Sequence, residues 1–348
     1  MIFKSSASDA VHFINPLWDP NGGADRRTIA TWDLVRERAD THLWSEYDPV
    51  SEFTSAYPVR KIRRRYLSFP RRGTFVFMGV YFRIGHWIWA TRPDRIVVIY
   101  NTDQPDRLDK NLRRIAGCGV LPEVVSSSQA LNRKLGLELP ILESPIELAP
   151  FLGLGATRPR NRVFTVGRLS RDDDYKHHAE DPLLYKKLAA SGCRVRIMGG
   201  TCLSAALAGT PNIELLRAGA EDQATFLRSL DCFIYRTSET WFEAFGRVIF
   251  EAMASGLPVV AAARGGYADY LNHGHDSLLF ASTASALAHV ERLRGDGLLR
   301  RSMGEAASAT ARRVVGEPLS ERTRQFLLQP ATTTPLVQKG ISRDIVIA

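Results

Sequence analysis

Cysteine is scarce in this sequence, and no long apolar run is free of charged residues. The four cysteines, at positions 118, 193, 202 and 232, form no Cys-x-x-Cys pair and have no histidine at metal-ligand spacing. This pattern excludes a disulfide framework and favours buried thiols in a reducing compartment. The longest apolar stretch, residues 74–90, is interrupted by Arg83 and His86, whereas a membrane-spanning helix needs about 18 apolar residues in a row.

The first residues also lack the basic segment and apolar block of a secretory signal peptide. We therefore expect a cytoplasmic protein. A chain of 348 residues with 45% hydrophobic residues is long enough for two domains, each with its own core.

Much of the net charge of +9 comes from one short segment. This basic cluster consists of Arg60, Lys61, Arg63, Arg64, Arg65, Arg71 and Arg72. Three interpretations fit it: a solvated basic loop, a surface for anionic lipids at the inner face of the cell membrane, and a nucleic-acid patch. No zinc finger, RNA-recognition motif or heptad-bearing basic region accompanies the cluster, so we expect no nucleic-acid partner.

Strand and helix signals alternate along the chain, which is typical of doubly wound α/β domains. The strand predicted at Val11–Leu17 leads through a glycine pair into a helix that continues to about Arg38. The alternation stops at 140–159, which is rich in proline, glycine and leucine, and then restarts. We predict an N-terminal domain over residues 1–150, a C-terminal domain over 151–330 and a poorly ordered tail over 331–348.

The segment from Glu243 to Val260 carries the strongest functional signal. Two carboxylates, Glu243 and Glu251, lie eight positions apart around Phe245-Gly246, and Gly256-Leu-Pro follows. A helix beginning near Gly246 would offer the amides of Phe245, Gly246, Arg247 and Val248 to an anion. Glu243 would then accept hydrogen bonds from sugar hydroxyls, and Glu251 would bind both hydroxyls of a ribose. The alternative is an amphipathic helix with Glu251 exposed and Val248 in the core.

These contiguous positions resemble the donor-binding signature of retaining GT-B fold glycosyltransferases, in particular family four (glycosyl transferases group 1). The resemblance implies two Rossmann-like doubly wound domains facing across a cleft. It also implies a nucleotide-diphosphate sugar as donor substrate, with no separate cofactor and no metal.

A second piece of the resemblance is Thr165-Val-Gly-Arg168, followed by Lys176. In the family a lysine five residues after the arginine helps it to neutralise the leaving diphosphate, but position 173 here is aspartate. We expect a longer loop that leaves Lys176 in this role, with Arg171 as the substitute. Asp172-Asp-Asp174 also fits the Asp-x-Asp pattern of metal-dependent transferases, but that motif belongs with a different, single-domain fold. We expect these residues instead to cap the next helical turn or to pair with Arg171 and Lys176.

The resemblance is weaker in the first half of the chain. Gly22 and Gly23 match the family's N-terminal glycine loop, which contacts phosphate or acceptor, while a plain turn is the alternative. The family's N-domain histidine has no counterpart, because the matching strand ends in Asn101-Thr-Asp103. Asn101 and Asp103 are the remaining candidates for a protein base, and His12 and His86 fit structural roles better.

Taken together, these features predict a retaining, metal-independent, hexosyltransferase-type enzyme. It would transfer a sugar to a hydroxyl acceptor, which could be lipid-linked, in polysaccharide or glycolipid biosynthesis. The expected catalytic residues are Glu243, Arg168 and Lys176. The alternatives are another GT-B enzyme, such as an epimerase, or a protein that binds sugar nucleotides without transferring sugar.

Overall fold

The computed structural model describes residues 10–157 and 163–330, which fall into two compact units. The first unit comprises Met1–Pro145 and Leu319–Ala348, and the second comprises Ile146–Pro318. The predicted domain ranges differ from this division at the C-terminal end, where the chain returns to the first unit. The predicted tail over 331–348 lies outside the described residues.

The first unit is built on a sheet of six parallel strands. The strands are β1 (Val11–Ile14), β2 (Thr41–Ser45), β3 (Val59–Lys61), β4 (Thr74–Met78), β5 (Arg95–Tyr100) and β6 (Glu123–Ser126). Their order in the sheet is β3-β2-β1-β4-β5-β6. The helices that connect them are α1 (Gly23–Arg36), α2 (Ser51–Ala56), α3 (Pro105–Ala116) and α4 (Gln129–Leu135).

Strands β4 and β5 form the core of this unit. Phe75, Val76 and Phe77 are fully buried, as is every side chain of β5 from Ile96 to Tyr100. Burial on both faces explains why these strands are continuously apolar in sequence. Strand β1 is shorter than predicted because the chain turns at its end, where the Asn15 side chain accepts a hydrogen bond from the amide of Leu17.

The second unit repeats this architecture. Its strands are β7 (Thr165–Leu169), β8 (Arg194–Met198), β9 (Ile213–Leu216), β10 (Cys232–Tyr235), β11 (Val259–Ala262) and β12 (Ser277–Phe280). They run parallel in the order β12-β11-β10-β7-β8-β9. Its helices are α5 (Asp181–Ala190), α6 (Ser204–Leu207), α7 (Gln223–Arg228), α8 (Arg247–Ala254), α9 (Thr283–Gly295) and α10 (Gly297–Val315). Both units are thus Rossmann-like, as predicted.

In each sheet the direction of winding reverses next to the first strand of the unit. The reversal lies between β1 and β4 in the first unit and between β7 and β10 in the second. Open parallel sheets bind ligands outside the carboxyl ends of the strands at such a switch point. The topology therefore singles out the residues that follow β7 and β10 in the second unit.

Helix α11 (Glu317–Leu328) starts at the end of the second unit and packs on the first from Leu319 onward. Arg95, at the start of β5, donates a hydrogen bond to the carbonyl of Phe326 at 2.7 Å and stacks over its ring at 4.7 Å. Arg95 also pairs with Glu123 on the neighbouring strand. This contact explains why α11 belongs to the first unit despite following the second in sequence.

None of the helices within residues 10–157 and 163–330 is both long and apolar enough to cross a bilayer.

Close backbone packing holds α8 against α10. A Cβ atom on Gly304 of α10 would lie 2.4 Å from the carbonyl oxygen of Gly256, just after α8, so only glycine fits there. By contrast, a Cβ atom on Gly297, at the start of the same helix, would meet nothing closer than 3.8 Å.

We predict that Gly304→Ala lowers the free energy of unfolding by about 1–3 kcal/mol, because the two backbones must separate. Gly297→Ala is the matched control and should change it by less than about 0.5 kcal/mol, or raise it slightly. Urea denaturation of both variants measures the difference. Equal effects of the two substitutions would contradict the packing argument.

Candidate active site

The chain turns sharply before α8 and places the helix N-terminus at the switch point of the second sheet. Gly246 adopts φ +84°, a left-handed conformation that favours glycine, and α8 begins at Arg247. A Cβ atom on Gly246 would also lie 2.7 Å from the Tyr267 ring. The amides of the first helical turn have no acceptor within the helix, so this end of α8 favours an anion. The helix start agrees with the prediction.

Glu243, on the loop before α8, is the centre of a charged cluster. Its Oε2 accepts hydrogen bonds from Lys176 Nζ and from the Tyr235 hydroxyl, each at 2.8 Å. The backbone fixes the loop as well, because the amide of Gly266 donates to the Glu243 carbonyl at 2.7 Å. Burial alone would raise the pKa of Glu243, but the Lys176 ammonium and the Tyr235 hydroxyl hold that pKa below its usual value. Glu243 is therefore a carboxylate at neutral pH.

Lys176 reaches this cluster from the loop after β7. It ends the short 3-10 turn Asp174–Lys176, and its ammonium lies 4.7 Å from the centroid of the Trp241 ring. The Lys176 side chain is 11% exposed and the Glu243 side chain 18%. The longer loop thus brings Lys176 to the N-terminus of α8. Lys176 and Glu243 each keep a small accessible surface that a ligand could contact.

Arg168 lies beneath the site, which differs from its predicted contact with the diphosphate. Its side chain is 1% exposed, and its guanidinium donates to the Asp181 carboxylate and to the carbonyls of Arg236 and Lys176. The charge of Arg168 is already neutralised by Asp181. In this geometry Arg168 positions the backbone of Lys176 instead of meeting a ligand.

Glu251 lies in the second turn of α8 and has no exposed surface. Its Oε1 is 3.9 Å from Nη2 of Arg247, one turn earlier on the same face of the helix. The simple amphipathic alternative, with Glu251 on the solvent face, is therefore wrong. A buried carboxylate needs a compensating partner, and Arg247 supplies a positive charge nearby. The predicted binding of ribose by Glu251 stays a prediction.

Two of the three aspartates at 172–174 bind to the protein itself. Asp172 accepts hydrogen bonds from the Thr201 hydroxyl and the amide of Cys202. Asp173 pairs with Arg171 and accepts from the Tyr175 hydroxyl, but its side chain does not cap the following turn. Among the described residues, no group of three or more His, Cys, Asp or Glu side chains is arranged to hold a metal ion. The predicted independence of metal stays a prediction.

Comparison with known proteins agrees with this geometry. Residues 160–296 match the model of a family described as glycosyl transferases group 1. This match covers most of the second unit, which is therefore similar to group 1 glycosyltransferase domains. A search among curated proteins gives no match.

Solved structures extend the similarity to the whole fold. The chain is similar to HepE from Anabaena, solved in complex with UDP-glucose, with TM-score 0.69, 16% identity, and coverage of 91% of this chain and 98% of HepE. A glycosyltransferase from Rickettsia africae gives TM-score 0.69, 15% identity and coverage of 92% and 99%. WaaG, a glycosyltransferase involved in lipopolysaccharide biosynthesis, gives TM-score 0.66, 14% identity and coverage of 91% and 99%. The chain therefore has the GT-B fold, in which each unit is one Rossmann-like domain.

The first unit has candidate residues of its own near the switch point between β1 and β4. Gly22 precedes α1, and a Cβ atom on Gly23 would meet nothing within 4 Å, so this backbone is open to a ligand. Asn101 lies beside Gly79, where a Cβ atom would be 3.0 Å from its Oδ1. Asp103 pairs with Lys134 at 3.1 Å. The phosphate or acceptor role of the Gly22-Gly23 loop stays a prediction.

His12 and His86 have structural surroundings, in line with their predicted roles. His12 is buried and accepts a hydrogen bond from the Trp44 indole at 3.0 Å. Burial first, and then the neighbouring His42, lower the pKa of His12 to about 4, so His12 is neutral. His86 stacks on Trp89 at a ring distance of 4.8 Å.

Four residues of the second unit were not predicted from the sequence: Tyr235, Trp241, Asp181 and Arg236. Tyr235 stands where the family usually has Pro-Ser, and this departure was a usable signal. Trp241, two residues before Glu243, offered a weaker one. Asp181 precedes a proline at a helix start and looks like an ordinary first-turn acid, so no local pattern marked it.

The Lys176–Glu243 pair allows a direct test. We predict that Lys176→Met lowers the free energy of unfolding by about 3 kcal/mol, because it leaves Glu243 ionised in a largely buried position. Replacing the exposed Lys186 by Met is the matched control and should have little effect. Urea denaturation of Lys176→Met, Glu243→Gln and the double variant should show a coupling energy of about 1–3 kcal/mol. Additive effects would mean that the pair does not form in solution.

Proposed function

We propose that the protein transfers a sugar, with retention, from a nucleotide-diphosphate donor to a hydroxyl acceptor. The observation that carries this proposal is the Lys176–Glu243 pair beside the N-terminus of α8, at the switch point of a group 1 glycosyltransferase domain. The HepE complex with UDP-glucose supports a nucleotide sugar as donor. Each residue of the pair has a separate task in the proposed reaction.

The leaving diphosphate would bind between the N-terminus of α8 and Lys176. The first-turn amides supply hydrogen bonds and partial positive charge, and the ammonium supplies a full charge. Together they stabilise the negative charge that develops on the departing phosphate. This arrangement supports transfer without a metal ion.

Glu243 would orient the sugar. Its carboxylate already has two donors on Oε2, which leaves Oε1 to accept hydrogen bonds from sugar hydroxyls. The lowered pKa of Glu243 makes it a poor general acid. Its hydrogen bonds to Lys176 and Tyr235 also make the carboxylate a weaker nucleophile. The acceptor hydroxyl would then attack the sugar from the same face that the phosphate leaves, which gives retention. The leaving phosphate oxygen would accept the proton of this hydroxyl.

Glu251 would bind the ribose of the donor. Because the carboxylate has no exposed surface, Arg247 must move for the ribose to reach it. A side-chain rotation at this partly exposed position is a small change. Donor binding would therefore be accompanied by reorientation of Arg247.

We expect Glu243→Ala and Glu251→Ala each to lower turnover of the donor by at least about 100-fold. Glu305→Ala, an exposed glutamate on α10, is the control and should keep wild-type activity. Products from uridine-, guanosine- and adenosine-diphosphate sugars would be identified by mass spectrometry, with and without a hydroxyl acceptor. Wild-type transfer by both variants would refute the site assignment. Donor conversion that needs no acceptor would indicate an epimerase or hydrolase instead.

The acceptor would be part of a polysaccharide or glycolipid, and the basic cluster would hold the enzyme at the membrane that carries it. Residues 63–68 form a tight turn, with Arg63 and Ser68 paired. Tyr66 and Leu67 at its tip are 70% and 64% exposed. Exposed apolar side chains within a basic segment suit the surface of an anionic bilayer.

We predict that replacing Arg63, Arg64 and Arg65 by Ser weakens binding to phosphatidylglycerol vesicles by about 100-fold, since each basic residue contributes about 1 kcal/mol near such a surface. The control replaces Arg301, Arg312 and Arg313, three exposed arginines of α10, and changes the net charge equally. Cosedimentation with vesicles at two salt concentrations measures the effect. Wild-type binding by the first variant would refute the membrane role of the basic cluster, but it would not affect the proposal of sugar transfer.

A further inference from the structure

A cavity in the first unit is separate from every residue to which the proposed transfer reaction gives a role. It lies between the connection from β4 to β5 and the C-terminal half of α3, and its volume is about 360 Å³. This is within the range of small-ligand sites. Its lining consists of Arg83, Ile84, Gly85, His86, Ile88, Trp89 and Arg114.

Two stacked rings form one part of the lining. Trp89 is 59% exposed, and His86 covers it at a ring distance of 4.8 Å with 22° between the planes. The indole fits here because position 117 has no side chain, since a Cβ atom on Gly117 would lie 2.9 Å from Trp89 Nε1. An exposed tryptophan held in place by its neighbours gives a rigid apolar surface for a ligand.

The rest of the lining is apolar or positively charged. Arg83 and Arg114 contribute two cations, and the lining contains no acidic residue. One amino group of Arg114 donates to the carbonyl of Ile84 at 2.9 Å, which orients its guanidinium beside the cavity. Arginine pairs favourably with carboxylates and phosphates.

The cavity is preformed. Beneath it the Glu46 carboxylate accepts hydrogen bonds from the Trp87 indole at 2.8 Å and from the backbone amide of Arg83. These bonds fasten the connection on both sides of Gly85. The backbone that carries Arg83, His86 and Trp89 is thus held in place, and Arg114 is held by its own bond to Ile84.

We propose that this cavity is a binding site for an acidic sugar residue of a glycan, separate from the transfer site. The apolar face of the sugar ring would stack on Trp89, and its carboxylate or other anionic group would pair with Arg83 and Arg114. A nucleobase would stack equally well, but its polar edge would face Ile84 and Ile88, which offer it no side-chain hydrogen bond. The inference rests on the first unit alone and does not require that the second unit transfers sugar.

The test uses the full chain labelled with 5-fluorotryptophan, titrated with trigalacturonate, with neutral maltotriose and with uridine monophosphate. Fluorine NMR follows the Trp89 resonance, which is assigned from its absence in Trp89→Phe. We expect trigalacturonate to shift this resonance, and maltotriose to bind at least about tenfold more weakly. Arg83→Gln should weaken the binding of trigalacturonate by at least about tenfold. Trp89→Ala should abolish this binding, as measured by calorimetry.

Trp18→Ala is the matched control, because Trp18 is an exposed tryptophan of the same unit that lies outside the cavity. Its binding of trigalacturonate should equal that of wild type. The melting temperature of each variant shows that it is folded, and the exposed position of Arg83 makes misfolding of Arg83→Gln unexpected. Equal binding of maltotriose, preference for uridine monophosphate, or wild-type affinity in Arg83→Gln and Trp89→Ala would each overturn the proposal.

Discussion

A buried ionic network underlies the candidate site of the second unit. Asp181 accepts hydrogen bonds from the guanidinium groups of Arg168 and Arg236 and from the backbone amide of His178. All three charged side chains are nearly inaccessible, so none can change partner without leaving a charge in a low-dielectric interior. Because Arg168 also binds the carbonyls of Arg236 and Lys176, the network joins the loops that follow β7 and β10.

The catalytic proposal depends on what this network positions. Lys176 meets Glu243 at the N-terminus of α8, and Gly246 and Gly265, both with positive φ, let the two neighbouring loops approach closely. The site thus concentrates positive charge where a diphosphate would leave, while Glu243 stays ionised. In the first unit, Glu46 fastens the loop that carries Arg83 and the exposed Trp89. In each unit a buried or half-buried acid thus helps to position a cation.

Much of the architecture could be predicted from local patterns. The strands β4, β5 and β10 are apolar runs, and Gly246 marks the start of α8 because few other residues adopt its conformation. The roles of Lys176 and Arg168 could not be separated in this way, since both are cations near the carboxyl end of β7, Arg168 within the strand and Lys176 after it. The short elements β2, α2 and β3 between residues 41 and 61 have too little periodicity to predict, and α11 shows no local sign of which unit it joins.

The sequence by itself determined the doubly wound α/β class, the carboxylates at 243 and 251, and the helix that begins between them. These follow from local propensities and spacing, which depend on neighbouring residues only. The tertiary structure alone decided that Arg168 is buried against Asp181, that Lys176 pairs with Glu243, and that Trp89 and Arg114 line one cavity. Each of these is a contact between residues distant in the chain, and such contacts are set by packing and charge neutralisation in the folded protein.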